Sequence, residues 1–138
     1  MIKKIVVAYD GSEQSKKAYD MALDMASKYA AQVIVLSVAR PPEPPVAVET
    51  EAMLEYATEF FEKEFKSLKE KALPLGIEPT LEILVGHPAE HIVQFAKTEK
   101  ADIIVMGHRG GTLFQMWRLG SIARRVMAHA HCTVMIVR

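Results

Sequence analysis

Glycine is concentrated in the segment MGHRGGTLFQMWRLGS, Met106 to Ser121, which holds four of the chain's seven glycines. Gly107 and Gly110 permit positive φ angles, which turn successive backbone N–H groups toward one point. Gly120 and Ser121 stand at the predicted start of a helix, where unpaired N–H groups and the helix dipole favour an anion. This pattern fits a cradle for phosphates. It fits equally a glycine-rich connection from strand to helix, with Ser121 as an ordinary N-cap.

Acidic and basic side chains accompany this segment. Asp10 closes the apolar run KKIVVAYD, and Gly11 and Ser12 offer an N-cap closer to the next helix, so we interpret Asp10 as a ligand contact. Arg109 and Arg118 fit phosphate contacts as well as solvated charges, and Arg109 is the better candidate. The sequence leaves the role of Trp117 open between packing and an interface.

The sequence HPAEH, His87 to His91, has the spacing of one zinc-protease motif. Pro88 suits the first position of a helix, and that helix would place His87 before its start and His91 toward solvent. The two imidazoles would then not converge, and the sequence shows no third ligand at a suitable spacing. We therefore predict no protein-ligated metal.

Few residues point to catalysis. The sequence has no nucleophile elbow and no serine with an evident base, and we interpret Cys132 as a small buried hydrophobic residue. Hydrolysis of a bound phosphate group needs a positioned water and an acid or base, for which Asp10 and His108 are the near candidates. We expect slow hydrolysis at most, and no catalytic residue is assigned.

Five short runs rich in valine and isoleucine predict the strands that position these residues. Four of the runs are almost continuously apolar, which is typical of parallel strands covered on both faces. They are KKIVVAYD, AQVIVLSVA, TLEILVG, ADIIVMG and CTVMIVR. Their alternation with helical segments predicts an open, doubly wound parallel sheet, in which ligands bind beyond the carboxyl ends of the strands.

Four amphipathic segments between the strands predict helices. The first follows Ser12, the second ends near Pro74 and Gly76, the third begins at Pro88, and the fourth follows the glycine segment. The methionines are interpreted mostly as core residues at inward helical positions. The predicted inner faces of the first two helices are Ala18, Met21, Ala22, Met25, Ala26 and Tyr29, then Leu54, Ala57, Phe61, Phe65, Leu68 and Ala72. The proline-rich RPPEPPV predicts a stiff surface connector.

Composition limits the class of protein. The 138 residues suffice for one domain, 1–138, and 17 basic against 17 acidic residues leave no net charge to attract nucleic acid or an anionic membrane. A single cysteine and the absence of a leader-like segment favour the cytoplasm. Apolar runs of about six residues are too short to span a bilayer.

The full pattern, Gly107, two residues, Gly110, nine residues, then Gly120 and Ser121, resembles the ATP-binding signature of the universal stress protein family. The resemblance also covers IVVAYDGSEQSKKAYDMA, GHPAEHIVQFA and CTVMIVR, and so spans nearly the whole chain. His108 stands where serine is frequent, and Thr133 replaces the usual proline of the last strand. Neither departure removes a backbone N–H group that the signature needs.

The resemblance implies a Rossmann-like, five-stranded parallel sheet in the order 3-2-1-4-5, with adenine nucleotide at its carboxyl edge. It implies ATP, or AMP or ADP, as ligand, and a homodimer paired through the last strand. The charge of a triphosphate and the absence of a lysine in the glycine segment predict an accompanying Mg or Mn ion, held mainly by phosphate oxygens and water. A regulatory or stress-response module is the favoured function; the alternatives are a slow ATPase or other nucleotide-handling enzyme, and a structural member without ligand. The implied nucleotide-binding residues are Ala8, Tyr9, Asp10, Val38, Met106, Gly107, His108, Arg109, Gly110, Gly120, Ser121, Ile122 and Ala123.

Overall fold

A computed structural model describes residues 1–40, 47–108 and 119–138. Strands and helices alternate along this part of the chain. They are β1 (Lys4–Ala8), α1 (Glu13–Tyr29), β2 (Gln32–Ala39), α2 (Ala47–Ala72), β3 (Thr80–Val85), α3 (Pro88–Thr98), β4 (Ile103–Gly107), α4 (Leu119–His129) and β5 (Thr133–Val137), with a 3-10 turn at Leu73–Leu75 after α2. The alternation confirms the predicted α/β class.

The strands form one sheet, in which every pairing is parallel and the order is β3-β2-β1-β4-β5. This confirms the order that the family resemblance implied. The three inner strands are almost wholly buried, whereas the edge strands β3 and β5 are exposed or half-buried along their length. The continuous apolar runs of the inner strands therefore reflect helices on both faces of the sheet.

Helices cover the two faces in pairs. The phenol of Tyr19 on α1 donates a hydrogen bond to the carbonyl of Leu68 on α2 over 2.6 Å, and α3 packs against α4. Helices α1 and α2 connect β1 to β2 and β2 to β3, moving across the sheet toward the β3 edge. Helices α3 and α4 connect β3 to β4 and β4 to β5, moving toward the β5 edge. Right-handed crossovers therefore place the two helix pairs on opposite faces.

Local signals set the helix boundaries as predicted. The Ser12 side chain caps α1 by accepting from the Ser15 N–H, and α3 has Pro88 at its first position. After α2 and the 3-10 turn, Gly76 adopts a φ of 70° and ends the segment. The proline-rich connector lies outside the described residues.

The inner helix faces were predicted with some errors. Met25 is buried and Met53 half-buried, but Met21 and Met127 are 40% and 50% exposed, so the interpretation of the methionines as core residues holds only in part. Two other residues assigned to inner faces, Tyr29 and Leu54, are also exposed. These exposed residues lie at the margins of the apolar stripes of their helices. At a margin, a period of three to four residues does not distinguish a buried side chain from an exposed one.

Among the described residues, no helix combines the length and the apolar character needed to cross a membrane.

Candidate functional site

Asp10 lies just beyond the carboxyl end of β1 and is completely buried. Its Oδ1 accepts a hydrogen bond from the Ser12 N–H over 2.9 Å, while its buried Oδ2 has no hydrogen-bond partner within the described part of the chain. Asp10 thus supports the turn into α1, and Ser12 is the actual N-cap. One carboxylate oxygen remains as a buried acceptor for a donor group.

Tyr9 is fixed in place by hydrogen bonds to the neighbouring strand β2 and to helix α2. Its N–H donates to the carbonyl of Leu36, and its carbonyl accepts from the hydroxyl of Ser37 on β2 over 2.8 Å. Its phenol donates to Glu64 Oε1 over 2.8 Å, at the wall of a cavity of about 540 Å³ between α1 and α2. Burial, with a smaller contribution from Glu64, raises the pKa of the phenol far above its ordinary value. The Tyr9 side chain therefore belongs to the contact with α2, and Tyr9 serves the site by holding the end of β1.

Gly107 ends β4 beside the first turn of α1. A Cβ at this position would lie 2.7 Å from Cβ and 2.9 Å from the carbonyl carbon of Gln14. Gly107 is not among the residues with positive φ, so the prediction of a positive φ at this glycine is wrong. The position requires glycine because the strand end and the helix backbone approach each other closely.

The residues beside Gly107 continue the sheet. Met106 is fully buried in β4, and the N–H of His108 donates to the carbonyl of Val137 over 2.7 Å, which extends the pairing of β4 with β5. Arg109 and Gly110 lie outside the described residues, as do Trp117 and Arg118. At both Met106 and His108, it is the backbone that lies at the carboxyl edge of the sheet.

The start of α4 contains the last part of the signature. Gly120 and Ser121 are the second and third residues of α4, and the side chain of Ser121 is exposed. Ser121 is therefore not the N-cap of this helix, which was the alternative interpretation. Ile122 and Ala123 are buried and are the fourth and fifth residues of α4, where backbone N–H groups donate to carbonyls within the helix.

Strand register brings these positions together. Val7 pairs with Val105, and Ala8 pairs with Leu36. Extending both registers by one or two residues sets Tyr9 level with Gly107 and Asp10 level with Val38, which is buried. Because β1 continues toward β2 while β4 continues toward β5, the chain diverges between β1 and β4 at this edge, and such a switch point is where open α/β sheets bind ligands.

The two histidines of HPAEH lie apart from this edge cluster. His87 is exposed at the N-cap position of α3, whereas the imidazole of His91 is half-buried over Gly86 and would overlap a Cβ on that glycine. The expectation that His91 faces solvent is therefore wrong. The described residues contain no group of three or more histidine, cysteine, aspartate or glutamate side chains placed to hold a metal ion.

Sequence reasoning missed three residues that shape the site. Ser37 was detectable as the single polar residue in the apolar run VIVLSVA of β2. Glu64 and Gln14 had no comparable signal, because Glu64 meets Tyr9 across 55 residues of sequence and Gln14 meets Gly107 only through the packing of α1 on β4.

Comparison with known proteins finds relatives that match nearly the whole chain. Universal stress protein MJ0531 of Methanocaldococcus jannaschii is 37% identical over 142 residues, covering 100% of this chain and 83% of that protein. The solved structure of the hypothetical protein MJ0577 superposes with a TM-score of 0.78 at 29% identity, over 99% of this chain and 96% of that one.

Two more distant structures contain nucleotides. The universal stress protein of Archaeoglobus fulgidus, solved in complex with dAMP, is 23% identical, with a TM-score of 0.66 and complete coverage of both chains. A universal stress protein solved in complex with cAMP is 22% identical, with a TM-score of 0.67 over 99% of this chain and 97% of that one. At these identities the likeness shows a shared fold. The family model described as the universal stress protein family matches residues 1–138, and the chain belongs to that family.

Proposed function

We propose that this protein is an ATP-binding regulatory module of the cytoplasmic stress response. The observation that carries the proposal is the buried carboxylate of Asp10, whose unpartnered Oδ2 lies at the divergence of β1 and β4, next to the glycine that opens the signature. An ionised carboxylate accepts hydrogen bonds only, so this site suits a ligand that brings donor groups. The sugar of a nucleotide brings two hydroxyls.

The sheet order supports one orientation for the proposed nucleotide. Val38, Asp10 and Gly107 follow the adjacent strands β2, β1 and β4, whose ends are about 4.8 Å apart, so the three positions form a row about 10 Å long. In this proposal the base lies near the main chain of Val38 and the sugar near Asp10. The phosphates lie against Gly107 to Gly110 and the first turn of α4.

Charge and backbone geometry support the phosphate end of this arrangement. The first turn of a helix has N–H groups without intrahelical acceptors and the positive end of the dipole, and α4 begins at Leu119 on the side of the sheet where β4 ends. Gly120 leaves the approach to that turn free of a side chain. Arg109 is the cation proposed to contact the phosphates. The dAMP and cAMP complexes of distant family members support an adenine nucleotide as the ligand class.

The proposal is tested by calorimetry with ATP, AMP and adenosine. Gly110→Val is expected to abolish ATP binding and to weaken adenosine binding much less, since its side chain would occupy the space where backbone meets phosphate. Ser121→Ala is expected to weaken ATP binding about tenfold or less, because the helix N–H groups remain. Thermal melts of both variants verify the fold. Native ATP affinity in Gly110→Val would reduce the glycine pattern to a connection between strand and helix.

Asp10→Asn tests the sugar end of the site. The amide retains an acceptor for the Ser12 N–H but loses the charge, so affinity should fall about tenfold to a hundredfold for ATP, AMP and adenosine alike. Asp24→Asn is the matched control, because Asp24 is an exposed aspartate of α1 paired with Lys28. Equal affinities in wild type and Asp10→Asn would remove Asp10 from the site. A turnover assay on the same samples measures any hydrolysis.

A divalent cation is expected to accompany ATP. The phosphates and water would supply most of the ligands to Mg²⁺ or Mn²⁺, because this ion is bound mainly through nucleotide oxygens in sites without a dedicated protein cage. Adding EDTA should therefore weaken ATP binding and leave adenosine binding unchanged. ATP affinity that is indifferent to EDTA would contradict this expectation.

A further inference from the structure

We propose, on the basis of the nucleotide site above, that Gln14 determines the sugar specificity of this protein. Together with Asp10 it selects nucleotides whose 2′ and 3′ hydroxyls are both free. Within the described residues, two buried side-chain oxygen or nitrogen atoms have no hydrogen-bond partner: Oδ2 of Asp10 and Oε1 of Gln14.

These two atoms belong to the same end of α1. Asp10 is tied to the N-cap Ser12 through its other oxygen, and Gln14 is the second residue of the helix. The backbone and Cβ of Gln14 pack against Gly107, as its 2.7 Å approach to the position of a Cβ on that glycine shows. The carboxylate of Asp10 and the residue that carries the second acceptor, Gln14, therefore both lie beside the adjacent ends of β1 and β4.

Two unpartnered buried acceptors at one place require an explanation. Buried polar groups in folded proteins are nearly always hydrogen-bonded, because a buried acceptor without a donor loses its water and gains nothing in return. The contact of α1 with Gly107 involves the backbone and Cβ of Gln14, so this contact does not require a polar side chain at position 14. A ligand that donates to both groups accounts for them.

The chemistry of the two groups narrows the ligand. Phosphate oxygens at neutral pH accept hydrogen bonds, so they cannot satisfy a carboxylate and an amide oxygen. A hydroxyl donates to the carboxylate, and it also fits either end of a carboxamide, because it donates and accepts. The vicinal diol of a ribose presents two such hydroxyls on adjacent carbons. It lies at the middle of the proposed row, beside Asp10.

The proposed role of Gln14 distinguishes this protein from some distant family members by the sugar that it prefers. Distant family members have been solved with dAMP, which lacks the 2′ hydroxyl, and with cAMP, whose 3′ oxygen is closed into the ring. The fold therefore admits sugars without a free diol. A preference for the free diol in this protein would come from its own side chains, and Asp10 and Gln14 are the two with a buried acceptor that has no partner among the described residues.

The test compares AMP with 2′-deoxyAMP, 3′-deoxyAMP and cAMP by calorimetry. We expect wild-type protein to bind AMP about tenfold or more tightly than each of the other three. Gln14→Met keeps the length of the side chain and removes the amide. It should lower AMP affinity about tenfold and leave unchanged the affinity for the deoxy analogue that lacks the hydroxyl contacted by Gln14.

Two controls separate this role from a structural one. Gln94→Met changes an exposed glutamine of α3, bonded to Thr98, and should leave all four affinities unchanged. The melting temperature of ligand-free Gln14→Met should equal or exceed that of wild type, because the variant removes an unpartnered buried acceptor. A lower melting temperature would point to a structural role for the amide and would contradict the proposal.

The outcomes distinguish this inference from the proposed function. If wild type binds AMP and the deoxy analogues equally, or if Gln14→Met keeps the wild-type preference, the role of Gln14 is wrong and the nucleotide site stands. If no adenine nucleotide binds to wild type, the proposed function fails and this inference fails with it.

Discussion

At the scale of single residues, the site combines groups that a purely structural role does not require. A buried carboxylate with one unpartnered oxygen destabilises the folded protein unless a donor arrives. Replacing such a group is therefore expected to lower affinity without lowering stability. Gly107 differs, because its close approach to Gln14 serves the fold whether or not a ligand binds.

Gly107→Ala is expected to reduce the free energy of unfolding by about 1–3 kcal/mol, because the added methyl would overlap the backbone of α1 and force that helix to shift. Urea denaturation measures the change. The same variant should weaken nucleotide binding, since the first turn of α1 carries Gln14.

Gly76→Ala provides the comparison for this variant. It places a methyl in open space but at a φ of 70°, so it should lower stability through backbone strain and leave binding intact. Wild-type stability in Gly107→Ala would contradict the close approach of strand and helix.

At the scale of elements, α1 and α2 together hold the end of β1. At the N-terminus of α1, the Ser12 N–H donates a hydrogen bond to Asp10. On α2, Glu64 accepts a hydrogen bond from the phenol of Tyr9, and the ring of Phe61 packs against the Tyr9 ring with ring centres 6.5 Å apart. A change in the position of α2 would therefore reach the residue next to Asp10. If the proposed nucleotide site is correct, this contact would connect the nucleotide to the exposed face of α2.

The elements were also the part of the structure most readable from sequence. Strands such as ADIIVMG and caps such as Ser12 and Pro88 depend on local propensity and on burial that repeats along the chain, so their patterns predict them. The partners of Asp10, Tyr9 and Gly107 depend on which helix packs on which strand. Such contacts join residues far apart in sequence and leave no local pattern, and so Glu64 and Gln14 escaped prediction.

The carboxylate of Asp102 joins the amino ends of β1 and β4, and its contribution to stability is expected to depend on pH. Asp102 accepts hydrogen bonds from the N–H groups of Lys3 and Lys4 over 2.8 and 2.9 Å, and these bonds hold the pKa of Asp102 below its ordinary range. A depressed folded-state pKa adds stability above the unfolded-state pKa of about 4, and this stability is lost as the pH falls through the folded-state value.

Asp102→Asn should therefore lower the melting temperature at pH 7. The difference from wild type should shrink below about pH 4 and vanish once Asp102 is protonated in the folded protein. Melting curves of both proteins between pH 7 and pH 2.5 check this. A difference that stays constant over that range would show that the charge of Asp102 contributes nothing.

At the scale of the whole molecule, the sheet has two open edges. β3 and β5 are both exposed or half-buried; α2 packs against β3, and α1 and α4 pack against β5. The residues Val134, Met135 and Ile136 present an apolar, largely β-branched edge, and such an edge pairs readily with another strand. Two-fold pairing of β5 with its copy would cover it and create a ten-stranded sheet across the dimer.

We therefore predict a homodimer formed through β5. Light scattering should give twice the mass of one chain, and Ile136→Lys should shift the protein to a monomer, because a lysine at the paired edge would have to be buried against its copy. Ile83→Lys is the matched control, since it places the same charge on the other edge strand and should leave the dimer intact. A monomer mass for wild type that does not change with concentration would contradict the prediction. Dissociation by both variants would move the interface away from β5.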